Sequence, residues 1–532
     1  MPAFAFQLRF RLPLPHVIGH KDYRIKEQLY VTMDDLLTRS RLDEIFIQLA
    51  LKNRDNLRKE VLAQQHGCDP KELDGLDLTV DDFMRARFIE HSLVALRCNI
   101  IRFIEGNCTA RGLSNQLAEV PLVQWFCHIE NFGVIKPPSK STVDRYLRWI
   151  PFHDLDQLIM TLVRKAGLAP MPAVGVGVEA VAGEQVLGLD CELMLTDLWI
   201  DNTCLKADIH FPVDWVLLVD ATRTLMQSTL HIRSKGELKN RMPQSPQEFI
   251  REMNVLAIAM SQARNQPESE KKRKKILRQM KKLVRKIRRH AFKHQELLKQ
   301  RWEQTPWSEK QAMRIVQRIQ SVLDQLSTAV KQAHERIIGR RQVPSKEKIL
   351  SLYEADINVI VRGKLGASTE MGNVLALGEQ SDGLIVSWDL YQDNVTDSKT
   401  SIASVTKAQE VTGNQIKTVC GDRGTSSAAN SKQLEAMGVA DHLGPRTIAS
   451  FREKMQDEEF AQSQKRRAQT EGRISILKNQ FLGRPLRVKG FENRRQAVSW
   501  AVLSHNLWVL ARLRIEQEEA RRSKEQARKK AA

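Results

Sequence analysis

Apolar residues recur at intervals of three and four through most of the first third of the chain, a period that predicts helices. Met33 to Leu62 and Val80 to Glu105 carry this spacing, and Thr109 to Glu130 predicts one or two shorter helices. NFGVIKPPSK reads as a turn, after which STVDRYLRWI reads as a helix capped by Ser139 or Ser141 and stopped by Pro151. His153 to Gly167 adds another helix. The segment GLAPMPAVGVGVEAVAGE breaks the pattern: it is nearly uncharged and rich in Ala, Gly, Pro and Val, so it reads as a linker with a domain boundary near residue 175. Its glycines lack the lysine and helix start of a phosphate-binding loop.

Beyond the linker the period changes. Leu193 to Asn202 is an apolar, β-prone run that delivers Asp201 at its end, where a carboxylate is held rigidly beside a cleft. Asp190, Asp197, Asp208 and Asp214 are rivals on the same segment, with Asp214 placed to cap the helix WVLLVDATRTLMQSTL. A lone strand-end aspartate more often simply makes a turn. From 235 to 345 the chain returns to helical spacing. Ile276, Met280, Leu283 and Ile287 form one stripe, and Ala312, Ile315, Ile319, Val322, Leu326, Ala329, Ala333 and Ile337 form a second. A break at TPWS, capped by Thr305 or Ser308, makes these an antiparallel hairpin. Residues 346 to 445 switch to period two. INVIVRG, NVLALGE and GLIVSWDLY read as strands, the last two joined by a QSDG turn. The helix SIASVTKAQEVTG then precedes the strand IKTVCGDRG, which runs into Asp422, and SAANSKQLEAMG and VADHLG add a helix and a short strand. Phe451 to Asn479 reads as one helix. QAVSWAVLSHNLWVLARLRI is a last helix burying Val498, Val502, Leu507 and Leu510, followed by a charged tail over 513–532.

Charge sharpens the picture. The chain has 532 residues, more than one core can organise, and a formal net charge of +20 that points to a polyanionic partner, nucleic acid ahead of a membrane surface. Lys271 to Arg301 holds fifteen Lys or Arg against one acid, Glu296. Duplex DNA laid against Lys281, Lys282, Arg285 and Lys286 would steepen the salt dependence of binding by about 0.9 in log–log slope per neutralised phosphate. The same hairpin could serve instead as a dimerisation arm. Lys140, Arg145 and Arg148 on the helix after the Gly/Pro-containing turn suit a helix-turn-helix DNA reader, although helix pairs are common in any all-α domain. The seven cysteines are scattered without a CxxC pair, which argues for reduced thiols in a cytoplasm. No apolar run approaches the roughly 18 residues of a membrane span. The first residues, MPAFAFQLRFRLPLPHVIG, read as part of the fold rather than a signal peptide.

The densest chemistry lies in KRRAQTEGRISILKN, residues 465–479. On a helix, Arg467, Glu471 and Lys478 share one face, a carboxylate flanked by two cations. Gly472 in mid-helix costs about 1 kcal/mol relative to alanine, so packing or a close ligand is expected to need a bare backbone there. Asp201, Asp422 and Glu471 thus fall at two strand ends and on a helix that could cross the same sheet edge. Three gathered carboxylates repel unless cations neutralise them, and hard oxygens suit Mg²⁺ or Mn²⁺.

These residues carry a resemblance. IDNTCLKADIHFPVD, VPSKEKILSLYEADINVIVRGK with Glu370, Met371 and Gly372 beyond it, CGDRGTSSAAN, RRAQTEGRISILKN and VLSHNLWVLA resemble bacterial insertion-sequence transposases of the DDE class. The likeness spans about residues 195 to 512. It implies an α/β ribonuclease H-like catalytic core over 176–512, interrupted by the helical insertion at 235–345, behind a helical DNA-binding domain at 1–175. It implies Asp201, Asp422 and Glu471 as catalytic acids holding two Mg²⁺ or Mn²⁺ ions, with Arg467 and Lys478 gripping DNA phosphates and Arg423 orienting Asp422. Many relatives carry a Tyr-Arg-Glu-Lys signature. Arg467, Glu471 and Lys478 keep its spacing, Gln464 stands in place of the tyrosine, and Asn202 and Thr425 also depart from the commonest residues. The implied activity frees a 3′-hydroxyl at a transposon's terminal inverted repeat and joins it to target DNA, the chain acting as a homodimer on DNA in the bacterial cytoplasm, near the nucleoid. A structure-selective nuclease of the same fold, or a domesticated DNA-binding protein without catalysis, are the alternatives.

Overall fold

In the computed structural model the described residues are 14, 17–73, 82–131, 134–167, 186–190, 193–209, 213–344, 347–364 and 367–531. The expected linker centred on residue 175, most of the N-terminal apolar stretch and Cys191 lie outside them. In chain order the principal elements are α1 (Lys21–Arg39), α2 (Leu42–His66), α3 (Asp82–Ile104), α4 (Ala110–Glu119), α5 (Pro121–Cys127), β1 (Glu130–Asn131), β2 (Val134–Ile135), α6 (Lys140–Tyr146) and α7 (Phe152–Ala166). Then come β3 (Asp197–Lys206), α8 (Asp214–Ser234), α9 (Pro246–Gln262), α10 (Ser269–Arg301), α11 (Glu309–Ile337), β4 (Asn358–Lys364), β5 (Ala367–Glu379) and β6 (Ile385–Tyr391). The chain continues with α12 (Asp397–Thr412), β7 (Thr418–Gly421), α13 (Ala428–Ala436), β8 (Ala440–Leu443), α14 (Ile448–Lys454), α15 (Glu458–Ile476) and α16 (Phe491–Ala531).

The chain divides into two compact units, and the division differs from the expected one. The first joins residues 1–206 to 373–532, and the second is 207–372. In the first, a single core runs from Tyr30 on α1 through Leu198 on β3 to Leu510 on α16, so helices and sheet share one interior rather than two separated near residue 175. The reason is α16, whose buried Trp500, Val502 and Leu503 pack among the helices while Asn506 reaches the sheet, accepting from the Ile385 amide at 2.9 Å and donating to its carbonyl at 2.8 Å. The sheet of this unit has the order β6–β5–β3–β7–β8, with β5–β6 antiparallel and β3–β7 and β7–β8 parallel. The mixed α/β organisation expected from the alternation of periods is present.

The second unit is a four-helix assembly of α8–α11 around Leu218, Leu225, Phe249, Met280, Ile319 and Ala329, with β4 antiparallel to the first half of β5. It therefore starts before the expected residue 235, because α8 packs on α9, α10 and α11. Asp214 does not cap α8. Its Oδ1 accepts from Gln332 Nε2 at 2.9 Å and Arg336 Nη1 at 3.0 Å, so this acid holds the bundle together.

Local chemistry explains the element ends. Ser308 caps α11 in a reciprocal box with Gln311, and Ser139 caps α6 by accepting from the Thr142 amide. The expected helix from Met33 to Leu62 is broken where Arg41 takes a left-handed conformation, φ 54°. The expected helix from Phe451 to Asn479 is also two, since Asp457 caps α15 afresh by accepting from the Phe460 amide at 2.8 Å. A π-helical turn, Leu477–Leu482, follows α15. The six cysteines within the described residues are free thiols. Among the described residues no helix is long and apolar enough to cross a membrane.

Candidate functional site

Strand β3 is buried on both faces except at its ends and at Asp201. Its parallel register with β7 pairs Asp197 with Thr418, Leu198 with Val419 and Trp199 with Cys420. Asp201 lies in the middle of β3 rather than at the strand end expected, because the strand runs on to Lys206, and Asp422 is the first residue after β7. Each is two residues beyond the last pair, so the two stand level in the register of Trp199 and Cys420. Adjacent strands are about 4.8 Å apart. Period-two alternation and parallel pairing are thus enough to bring together two acids that are far apart in sequence.

Helix α15 crosses this same face. At its first turns Trp199 Nε1 donates to the Ser463 carbonyl at 3.0 Å, and Gln464 Nε2 donates to the Gly421 carbonyl at 3.3 Å and the His442 carbonyl at 2.8 Å. Just past its end, Lys478 Nζ donates to Thr203 Oγ1 at 2.7 Å, two residues along β3 from Asp201. Glu471 lies between these two anchors. Gln464, in the place of the expected tyrosine, ties the helix to the ends of β7 and β8.

The electrostatics agree with convergence. The Asp201 carboxyl is pushed up to about 6 by burial first and the Asp422 charge next, with Glu471 adding to it while the Asn202 amide and Arg467 oppose. Glu471 itself is 59% exposed and pairs with Arg467 at 3.3 Å. Among the described residues, no three His, Cys, Asp or Glu side chains are already drawn together tightly enough to hold a metal ion. The donor set still suits a hard cation. Asp201 and Asp422 each have one oxygen engaged by backbone amides, Asp201 Oδ1 from Asn202 at 2.8 Å and Asp422 Oδ1 from Gly424 at 2.8 Å and Thr425 at 3.1 Å. A cation would relieve the repulsion that raises Asp201.

Two expected roles change. Arg423 does not orient Asp422. Its exposed guanidinium lies over the Phe451 ring at 5.3 Å, and backbone amides hold the carboxylate instead. The bare backbone needed near the acids is at Gly424 rather than Gly472. A Cβ on Gly424 would come within 2.8 Å of Asp397 Oδ2 and 3.2 Å of Asp422 Oδ1, whereas one on Gly472 meets nothing. Gly472→Ala is therefore expected to stabilise the protein by about 0.5–1 kcal/mol, read from the denaturant midpoint.

Asp397, at the start of α12, is a fourth acid that spacing did not reveal. Its Oδ1 accepts from Asn202 Nδ2 at 2.9 Å, and Asn202 also donates to Thr400 Oγ1 at 2.9 Å. The one available signal was an aspartate opening a helix after DNVT. Of the other rivals, Asp190 pairs with Arg521 at 3.2 Å, Asp197 is the first residue of β3, upstream of Asp201, and Asp208 is exposed.

The remaining cations lie elsewhere. Lys140, Arg145 and Arg148 are exposed on and after the seven-residue α6, which a two-stranded hairpin, β1–β2, separates from α5. On α10, Lys282, Arg285 and Lys286 are exposed, while Lys281 turns to His334 Nδ1 at 3.2 Å.

An ionised Asp201 strains the fold. Its raised value means the stabilising, protonated form is complete below about pH 4 and is lost as pH rises through about 6. Asp201→Asn is accordingly expected to raise the melting temperature of metal-free protein at pH 7.5, with the gain vanishing near pH 4. A loss of stability at pH 7.5 would mark Asp201 as an ordinary structural carboxylate. Comparison of the chain with family models, curated proteins and solved structures finds no match.

Proposed function

We propose that this chain is a DNA transposase of the DDE class, built on a ribonuclease H-like core, which cleaves transposon ends and joins the freed 3′-hydroxyl to target DNA. The observation that carries the reading is the level placement of Asp201 and Asp422 on adjacent parallel strands, with the helix bearing Glu471 anchored across them. The sheet order β6–β5–β3–β7–β8, with its parallel β3–β7–β8 half, supports the core assignment.

Asp201 and Asp422 are the residues that would hold two Mg²⁺ or Mn²⁺ ions, with Glu471 joining once its pairing with Arg467 opens. When bound, such ions supply Lewis-acid activation of the attacking oxygen and charge relief at the leaving one. The chain supplies the geometry. The buried middle of β3 fixes Asp201 and the turn just after β7 fixes Asp422. The amides of Gly424 and Thr425 orient Asp422, and Arg467 is released to a DNA phosphate as Glu471 leaves it. Lys478 stays near Thr203 and presents a second cation to the same backbone. In the first step a water oxygen bonds to phosphorus as the bond to the 3′-oxygen breaks, leaving a 3′-hydroxyl and a 5′-phosphate. In the second, that hydroxyl bonds to a target phosphorus and displaces the target's own 3′-oxygen. The first step is a hydrolysis and the second a transesterification. In each, one P–O bond forms as another breaks, the attacking oxygen's proton is balanced by the one the departing 3′-oxygen gains, and no oxidant or reductant is needed. Two ends must be processed together, so a homodimer on DNA is the expected assembly.

The test supplies precut duplex ends carrying the inverted repeats that flank the gene, a supercoiled plasmid and Mg²⁺ or Mn²⁺. Joined product supports transposition. Nicked plasmid without joining points to a nuclease, and tight binding with neither product points to a non-catalytic DNA-binding protein.

A further inference from the structure

We propose that one face of α10 is a ridge that lies along the phosphate backbone of duplex DNA for most of a helical turn, independently of base sequence. The inference rests on nucleic acid being this protein's partner, and it adds where, and by which residues, the second unit takes hold.

The helix separates two faces cleanly. Leu277, Met280, Val284, Ile287, Ala291 and Leu298 are buried in the bundle. Lys275, Arg278, Lys282, Arg285, Arg289 and Lys293 are all exposed, and their spacings of three, four, three, four and four keep them in one row on the opposite side. None of the six has a carboxylate partner among the described residues. The ion pairs along α10 involve Lys271, Lys274, Lys299 and, through Arg340, Glu270, all near its two ends. Lys286 lies at the margin of the row, and Lys281 is outside it.

A solvated helix normally intersperses acids with its cations, as α11 does with Asp324 and Glu335. A row of six like charges without them costs free energy unless an anion faces it. The neighbouring half-buried His290 is held below its ordinary value by burial first and then by Lys293 and Arg289 of the row, with Arg233 adding to them. The row is about 27 Å long at 1.5 Å per residue. Along its axis B-DNA presents a phosphate about every 1.7 Å with both strands counted, so six long, flexible cations spread over that length have phosphates of one strand or the other within reach. A membrane surface also attracts basic helices, but such helices present an apolar face to the lipid, and here that face is consumed by the bundle.

The experiment uses the full chain carrying Asp422→Asn, without divalent metal, so that binding is read apart from chemistry. Affinity for a 30-base-pair duplex of arbitrary sequence is measured across a salt series. Changing Lys275, Arg278, Lys282 and Arg285 together to Gln is expected to flatten the log–log slope by about 2 to 4. Changing Lys310, Arg314, Arg318 and Lys331 on α11 to Gln alters net charge equally and is expected to leave the slope nearly unchanged. Equal effects from both sets would overturn the ridge, leaving net charge as the cause. An unchanged duplex slope with lost binding to vesicles of phosphatidylserine would overturn it in favour of a membrane. Unaltered melting of both variants keeps misfolding from imitating either result. Strand joining by the metal-loaded chain with an intact Asp422 is scored separately, so the ridge can fail while the catalytic reading survives, and the reverse.

Discussion

Asp422→Asn is expected to lower metal-dependent strand cleavage by about 10²- to 10³-fold or more while leaving the fold intact and the melting temperature no lower than before. The substitution is nearly isosteric. Its retained oxygen can still accept from the Gly424 and Thr425 amides, so the loop after β7 keeps its conformation. What disappears is one negative charge beside Asp201, and with it a hard ligand for the cations the reaction is proposed to use. Removing that charge also removes a cause of the raised Asp201 carboxyl, which should then titrate closer to the ordinary range. Cleavage assayed with Mg²⁺ and with Mn²⁺ checks the first point. Unchanged activity with either ion would put the chemistry somewhere else.

The second large effect is on stability. Arg97 on α3 is wholly buried, with Nη2 donating to Asp43 at 2.7 Å, Nη1 to Asp34 and to the Phe126 carbonyl at 3.2 Å, and the guanidinium near the Phe126 ring. One side chain thus ties α3 to α1, α2 and α5. Arg97→Met keeps the length of the side chain but removes the guanidinium that two nearly buried carboxylates share, and is expected to cost about 3–5 kcal/mol. Adding Asp34→Asn and Asp43→Asn should restore much of the loss, because the two negative charges that Arg97 neutralised go with it. Denaturant titration of the three proteins measures both quantities. A single-variant cost below about 1 kcal/mol would show that water reaches the cluster.

What could be read from residue order alone follows from how local each cause is. Asp201 and Asp422 were visible because an acid in or just after an apolar, alternating run is a property of about ten residues, although the end of β3 was misplaced: the strand runs on past Asp201 to Lys206. Glu471 with Arg467 needed only the helical period. The antiparallel pair α10–α11 was visible in its two apolar stripes and in the cap at Ser308. Other features depended on partners far away in the chain. Asp397 comes to Asn202 from 195 residues away, through the placement of α12, and no pattern around either residue announces it. The membership of α8 in the bundle hangs on Asp214 meeting Gln332 and Arg336, a contact across some 120 positions. The shared core of the first unit arises because α16 returns to helices formed hundreds of residues earlier. Arg423 misled because a charged neighbour looks like a partner, whereas the backbone of its own loop had already taken that role.

Glu379, at the end of β5, accepts from Arg466 Nη1 at 2.5 Å and Thr470 Oγ1 at 2.9 Å, with Arg473 Nε at 3.5 Å. Those three residues follow one side of α15, while Gln464, Arg467 and Glu471 follow another. The grip therefore acts as a rotational stop, setting how far the helix can roll about its own axis and so the azimuth from which Glu471 would approach the two aspartates in the proposed site. A change at Glu379, which touches none of the trio, should surface as misalignment: DNA held as before, turnover slowed, and suppressor substitutions arising along the rolled side of the same helix.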